Sequence, residues 1–373
     1  MADEARLSIA FLTWRDLGHP DGGGSEVYVE SVARELAARG HRVQVRCARH
    51  SGSLRREVRD GVELVRRGGR LTVYPRAFWW TLTSGRRTDV VVDVINGLPF
   101  LSCLARRRGL IALVHHVHRE QWRIIYPDWR GTLGWWIESR LTPWLYRHVE
   151  HVTVSESSRR DLVALGIPAD RIHLAHNGLD VAAPVRVDRD DERISVLARL
   201  VPHKQIDHAF AVLAELGAAH PDLRLDVIGD GWWHDQLVES ARAHGVLGRV
   251  VFHGRVPAHR RDEILAGSAL MLLPSVKEGW GLAVTEAAAQ GTPTIAYRSA
   301  GGVTESIIDG RTGALVDDLP GLVATTERLL SDDEERLRLS AEARENALRF
   351  TWPATATAFE HVIESVVGPR QSP

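Results

Sequence analysis

Short apolar runs that stop at a glycine or a polar turn and give way to a helical pattern recur through this chain, and that alternation limits the folds open to it. Residues 7–12, Leu-Ser-Ile-Ala-Phe-Leu, lead into the cluster Asp21-Gly-Gly-Gly-Ser25. Residues 26–39 follow with Val29, Val32 and Leu36 at helical spacing, and Gly40 closes them. The unit is strand, glycine loop, helix. Strands joined through helices pair in parallel with right-handed crossovers, so the chain reads as α/β with parallel sheets. At 373 residues it is long enough for two such domains.

Further strands are expected at 41–47, 61–65, 90–95 (Val-Val-Val-Asp-Val-Ile), 110–114 (Leu-Ile-Ala-Leu-Val), 151–155 and 171–175. Ser155-Glu-Ser-Ser158 caps a helix that Gly166-Ile-Pro168 ends. Residues 185–193, Val-Arg-Val-Asp-Arg-Asp-Asp-Glu-Arg, are polar and read as a linker. A second set of strands is expected at 194–198, 223–228, 250–253, 270–273, 294–297 and 313–316, with helices between them. The first domain is therefore placed at 1–184 and the second at 194–351, with an amphipathic helix over 352–368 at the end. No short-period repeat is visible.

The chemistry concentrates in Ser275-Val-Lys-Glu-Gly-Trp-Gly-Leu-Ala-Val-Thr-Glu-Ala-Ala-Ala-Gln-Gly-Thr-Pro-Thr-Ile295, a loop, a helix and the start of a strand. Glu278 lies in the glycine-flanked loop at the helix entrance and Glu286 one or two turns inside, so two carboxylates face one cleft at different depths. Gly279 and Gly281 leave the backbone open, and the N–H groups of the first turn can meet an anion that the helix dipole also favours. Arg199 and Lys204 stand five apart in the loop after the first strand of the second domain, at the carboxyl edge where open α/β sheets bind ligands. Two cations there would suit a phosphorylated ligand. The glycine cluster at 22–24 is not Gly-x-Gly-x-x-Gly, so it fails as a dinucleotide fingerprint. His116 and His118 fall on one face of an extended segment and His115 on the other, which speaks against three convergent zinc ligands.

The Glu278 to Glu286 spacing, set in Glu-Gly-Trp-Gly-Leu and followed by Gln-Gly-Thr-Pro, resembles the Glu-x7-Glu signature of the GT4-like retaining glycosyltransferases, glycosyl transferases of group 1 with the GT-B fold. The resemblance implies two Rossmann-like doubly wound domains facing each other across a cleft, with the terminal helix returning to the first. It implies a metal-independent transfer of a hexose-type sugar from a UDP-, GDP- or dTDP-sugar to a hydroxyl, by a front-face mechanism and with no cofactor. Arg199 and Lys204 would meet the donor pyrophosphate, Glu278 a hydroxyl of the donor sugar and Glu286 the ribose. Backbone groups of Gly279, Trp280, Gly281 and Leu282 would approach the sugar and phosphates, and Arg255 and Val256 the base. From the first domain, the loop with Gly23 and Gly24 would approach the donor, and Ser25 next to them is a candidate on the acceptor side. His118, with His116 as second choice, would lie by the donor sugar and acceptor. Trp280 stands where the family more commonly has phenylalanine.

Between Arg119 and His148 the character changes: Trp122, Tyr126, Trp129, Trp135, Trp136, Trp144 and Tyr146 are interleaved with arginines. Phe78-Trp79-Trp80 beside Arg76, Arg86 and Arg87 is similar. Core packing, a peripheral contact with a membrane surface or lipid acceptor, and a sugar-stacking cleft for a soluble acceptor all fit that composition. Elsewhere the bounds are plain. Hydrophobic content of 44% and a formal charge of −1 give no global field to recruit nucleic acid. Cys47 and Cys103 support neither a disulfide framework nor a thiolate zinc site. The acidic start Met1-Ala-Asp-Glu-Ala-Arg6 lacks signal-peptide character, and no apolar run approaches the roughly 20 residues that span a bilayer. A cytoplasmic enzyme is expected, with peripheral contact at the inner face of the membrane as one of its forms. Asp188-Arg-Asp190-Asp191 reads as solvated linker charge, and no Asp-x-Asp stands at a strand end, so no metal is expected. The competing readings are a nucleotide-sugar epimerase on the same scaffold, a phosphorylase, whose cofactor-bound lysine motif is not found, and a non-catalytic sugar-nucleotide-binding protein.

Overall fold

A computed structural model of the chain describes residues 6–180 and 185–368, so the start at 1–5, the end of the first placed domain at 181–184 and the last five residues lie outside the described residues. The chain divides into two compact units, residues 1–178 with 352–373, and residues 179–351.

The first unit holds an eight-stranded sheet in the order β3-β4-β2-β1-β5-β6-β7-β8. Its strands are β1 (Ser8–Leu12), β2 (Arg42–Cys47), β3 (Arg56–Arg59), β4 (Val62–Arg66), β5 (Val90–Val94), β6 (Leu110–Val114), β7 (Glu150–Thr153) and β8 (Ile172–Leu174). Every pair is parallel except β3 with β4, an antiparallel edge that the apolar pattern does not announce, because Arg-Glu-Val-Arg carries one apolar residue. β5 and β6 are buried along their whole length, as strands covered on both faces must be. The helices are α1 (Gly24–Ala38), α2 (Val73–Leu82), α3 (Ser102–Ala105), α4 (Arg119–Ile125), α5 (Trp129–Trp136), α6 (Thr142–Tyr146) and α7 (Glu156–Ala164). Ser155 caps α7 by accepting from the Ser158 N–H.

In the second unit six strands, all parallel, run in the order β11-β10-β9-β12-β13-β14. They are β9 (Asp190–Leu197), β10 (Arg224–Ile228), β11 (Val250–Gly254), β12 (Ser268–Leu273), β13 (Thr294–Tyr297) and β14 (Gly313–Val316). Asp190 to Arg193, polar enough to read as linker, are the first half of β9, where Arg193 pairs with Arg224 of the neighbouring strand. Backbone pairing, not side-chain hydropathy, sets that boundary. The helices are α8 (Asp207–Glu215), α9 (His234–Ala243), α10 (Ala258–Ala266), α11 (Leu282–Ala289), α12 (Val303–Ser306), α13 (Leu319–Ser331) and α14 (Asp333–Ala347). One face of the sheet builds a core from Ile194, Phe210, Leu225, Leu270 and Leu329 among others. The chain then returns to the first unit as α15 (Trp352–Val367), which packs on α1 and over β5, β6 and β7.

Each sheet reverses its strand order once, between β1 and β5 in the first unit and between β9 and β12 in the second. Loops leaving the carboxyl ends of two such neighbours diverge and open a crevice, which is where ligands bind in open α/β sheets. The residues singled out by sequence follow β1, β6, β9, β11 and β12.

Candidate functional site

In the second unit the loop after β9 makes a short 3₁₀ turn over Pro202–Lys204, held by Gln205 in the left-handed region at φ 46°. The loop after β12 runs beside it, and the Val276 N–H donates to the His203 carbonyl at 3.0 Å. The Lys204 Nζ consequently lies 2.5 Å from a Glu278 carboxylate oxygen, with both side chains largely shielded. Arg199, half-buried, occupies the same β9 loop. Lys204 and Glu278 are 74 residues apart in sequence and meet because β9 and β12 are neighbours at the point of reversal.

Glu278 is fixed from its other side as well. Its N–H donates to the Ala300 carbonyl at 2.8 Å, and its own carbonyl accepts from the Gly302 N–H at 3.1 Å. A Cβ at Gly302 would lie 1.9 Å from the Gly279 carbonyl oxygen, so only glycine permits this approach. Gly281 takes φ 87° and opens α11, a conformation that L side chains rarely adopt. The Trp280 indole turns inward against Phe350, ring centroids 4.8 Å apart, while the Ser306 hydroxyl donates to the Trp280 carbonyl at 2.9 Å. Its side chain thus anchors the loop, and Gly279 and Gly281 on either side are themselves buried, so the backbone they were expected to leave open is covered, while Glu278 and Leu282 are partly exposed.

Glu286 sits on α11 and is met by Arg261 of α10, whose guanidinium lies 2.5 Å from its carboxylate. Burial pushes the Glu286 carboxyl above its ordinary range, Arg261 pulls it down, and Asp262 and Asp180 push it up again. Val256, in the loop after β11, packs into one apolar cluster with Ile228, Met271, Ala283 and Ala287, so the 255–256 segment and the helix bearing Glu286 border the same ground. Arg255 beside it is exposed. Arg261 escaped the sequence reading because its pairing crosses from one helix to another and leaves no spacing to read.

In the first unit Gly22 and Gly23 end the connection from β1, and Gly24 and Ser25 open α1. A Cβ on Gly22 would lie 3.0 Å from the His19 and Leu17 carbonyl oxygens, so a larger residue would need this backbone to shift by a few tenths of an ångström. The buried Glu26 reaches back to the Gly23 N–H at 2.7 Å and accepts from the Ser25 hydroxyl at 2.6 Å. Arg15 lies 2.8 Å from the same carboxylate. Burial would raise the Glu26 carboxyl, but the charge of Arg15 and these hydrogen bonds outweigh it and hold it below its usual range. The helix entrance is therefore pinned by an internal ion pair.

β6 ends at Val114, and the three histidines lie in the turn before α4 instead of on the strand. His115 is buried edge-on against Tyr28, and burial drives it down to about 4, so it stays neutral. His116 and His118 share a side, ring centroids 4.3 Å apart. His116 meets Gln121 through Nε2. The His118 backbone N–H and Nδ1 both meet one oxygen of Glu138, at 3.1 and 2.9 Å, and Trp122 Nε1 donates to the other at 2.6 Å. Since a carboxylate only accepts, Nδ1 carries the proton there, and Nε2 is left as the other ring nitrogen. Glu138 is buried on the single π-helical turn Ile137–Leu141 between α5 and α6. Sequence reasoning missed it because a lone Glu among tryptophans has no motif.

Among the described residues no group of three or more His, Cys, Asp or Glu could hold a metal ion, and no helix is long and apolar enough to cross a membrane.

Two family models match the chain. "Glycosyl transferases group 1" covers residues 182–346. "Glycosyltransferase Family 4" covers residues 22–183. Among curated proteins, a glycogen synthase of Mycobacterium tuberculosis is 27% identical over 91% of this chain and 90% of its own length. A D-inositol 3-phosphate glycosyltransferase of Corynebacterium diphtheriae is 25% identical over 96% and 93%. Among solved structures, Anabaena HepE in complex with UDP and glucose superposes with a TM-score of 0.75 at 18% identity, covering 96% of this chain and all of that one, a likeness of fold.

Proposed function

This chain belongs to the GT4-like glycosyltransferases of the GT-B fold, and from that premise we propose a metal-independent transfer of a hexose-type sugar from a nucleotide-diphosphate sugar to an acceptor hydroxyl, with retention of configuration. The observation that carries the reading is the Lys204–Glu278 pair at 2.5 Å, at the point where the sheet of the second unit reverses. An ammonium and a carboxylate side by side offer one group for a phosphate and one for a sugar hydroxyl, which is what a nucleotide sugar presents together.

In this reading the anomeric carbon loses its bond to the diphosphate oxygen and gains one to the acceptor oxygen on the same face. The acceptor proton passes to the departing phosphate oxygen. The sequence offers no nucleophile for a covalent intermediate, so Glu278 and Glu286 position the donor, and Arg199 with Lys204 stabilise the diphosphate charge. At about 4 Å and an effective dielectric near 20, one cation contributes on the order of 4 kcal/mol. That amounts to roughly a thousandfold in rate, which removes the need for a metal. Of the first unit, Gly23 and Gly24 are assigned to the donor and Ser25 to the acceptor side. His118, steadied by Glu138, presents Nε2 to the sugar and acceptor, with His116 beside it. The base lies by Arg255 and Val256. UDP-, GDP- and dTDP-sugars are the donors to test, and the acceptor is a small-molecule, lipid-linked or polysaccharide hydroxyl. No cofactor is needed. Cys47 and Cys103 are both free, which suits a reducing cytoplasm.

Incubation with a panel of sugar nucleotides, followed by slow donor hydrolysis, will name the donor. An epimerase would instead return an altered sugar nucleotide. Lys204→Ala and Glu278→Ala should each abolish transfer while the far-UV spectrum is unchanged, with chelator making no difference to the wild type. Near-normal turnover in either purified variant would sink the site.

A further inference from the structure

α5, the π turn and α6 form one continuous helix from Trp129 to Tyr146, since the residues at both junctions keep helical backbone angles. Its two faces differ sharply. Gly131, Gly134, Glu138, Thr142 and Tyr146 face inward and are buried. That face is closed: a Cβ at Gly134 would fall 2.4 Å from the Trp122 ring, and one at Gly131 2.0 Å from the Tyr126 carbonyl oxygen. The Tyr146 hydroxyl is tied to the buried Asp93. The outward stripe is Trp129, Leu133, Trp136, Arg140, Trp144 and Arg147, all exposed. Trp129 is 70% exposed, Trp136 52% and Trp144 64%.

The stripe does not stand alone. α6 packs on α3 and α3 on α2, and these carry Leu104 at 58% and Trp79 at 66% exposure, with Leu71 at 74% just before α2. Between residues 67 and 148 the chain has thirteen arginines and five carboxylates, although its whole formal charge is −1. Of the five, Asp93 and Glu138 are buried and Asp128 is bound to Arg130.

We infer that this face is a docking surface for an anionic lipid bilayer, with α5–α6 lying in the headgroup region. Indoles suit that layer because an apolar body and one N–H meet its two environments, and arginines are drawn by the negative surface potential. Single-stranded nucleic acid would use the tryptophans and arginines, but would leave Leu71, Leu104 and Leu133 without a role. A second copy would bring the same positive face against this one. The exposure removes core packing for part of the set that composition left open: Trp122, Trp135 and Tyr146 pack inside, whereas Trp129, Trp136 and Trp144 stand outside the unit's own core.

The test is flotation of the full chain with phosphatidylcholine vesicles, with and without phosphatidylglycerol, at low and high salt. Binding is expected to the anionic vesicles alone and to weaken with salt. Trp136→Ala with Trp144→Ala should lower the bound fraction roughly tenfold, because two interfacial anchors are lost. Trp232→Ala, an equally exposed indole of the second unit, should leave it unchanged. Absence of binding to anionic vesicles at low salt overturns the inference. So does equal loss in the Trp232 control, or a dimer or RNA complex that the Trp136/Trp144 pair removes while vesicles bind neither protein. The readout does not involve transfer, so a negative result leaves the catalytic reading standing.

Discussion

The proposed ribose contact of Glu286 predicts a pH-dependent donor affinity that Arg261 tunes. Only the ionised carboxylate accepts from two ribose hydroxyls at once, so the donor KM should rise as pH falls through the Glu286 titration. Burial raises that titration point and Arg261 is the influence that lowers it. Replacing Arg261 by leucine keeps an apolar stem of similar reach and removes the lowering charge. The rise in KM should then move to higher pH, with kcat changed less than KM. A KM profile superimposable on the wild type across pH 5–9 would show that Glu286 does not depend on Arg261. Glu286 itself could be read from the sequence, since its eight-residue distance from Glu278 and the flanking glycines are local. Arg261 could not, because what makes it relevant is the packing of α10 against α11.

The helix from Trp129 to Tyr146 shows how an element can hide its own orientation. Apolar residues at 129, 133, 135, 136, 137, 141, 144 and 145 satisfy more than one helical phase. The π turn at Ile137–Leu141 then adds a residue to one turn, so no single period of 3.6 separates the faces. Its consequence is Glu138, turned inward beneath His118. Glu138→Gln keeps the volume but sets one acceptor oxygen and one donor amide against three donors, the His118 backbone N–H, His118 Nδ1–H and the Trp122 indole N–H, so at least one of them is left unpaired. A stability loss of about 1–3 kcal/mol is expected from that orphaned group. A fall in kcat of roughly tenfold or more should accompany it, with the donor KM little altered, if the tautomer of His118 matters to transfer. Unchanged kcat together with a normal urea midpoint would remove Glu138 from the site.

At the scale of the whole chain, the number of domains and the parallel character of both sheets were legible in the alternation of strands and helices. The strand order was not, because crossover direction is decided by which face each helix covers and the apolar pattern is the same either way. Nor could the pattern show how late the first unit is completed. Trp352 packs edge-on against Tyr28 with centroids 5.9 Å apart, and Phe359 lies 5.8 Å from Phe11. Thr355 donates to the His176 carbonyl at 2.7 Å, and Glu360 binds both Arg39, at 2.5 Å, and His41, at 2.8 Å. α15 therefore closes the core begun by β1 and α1, more than three hundred residues earlier. A Trp352→Ala substitution removes a side chain that is 2% exposed and should cost about 3–5 kcal/mol. Against a total stability of roughly 5–15 kcal/mol, that is a large share. The urea midpoint should fall accordingly, whereas Trp232→Ala at the surface should shift it by no more than about 0.5 kcal/mol in equivalent free energy. A chain stopped after Phe350 should go further and fail to form the first unit, read as loss of the protected amides of β5 and β6 in hydrogen exchange. If those amides stay protected in the shortened chain, α15 is an appendage and the core of the first unit stands without it.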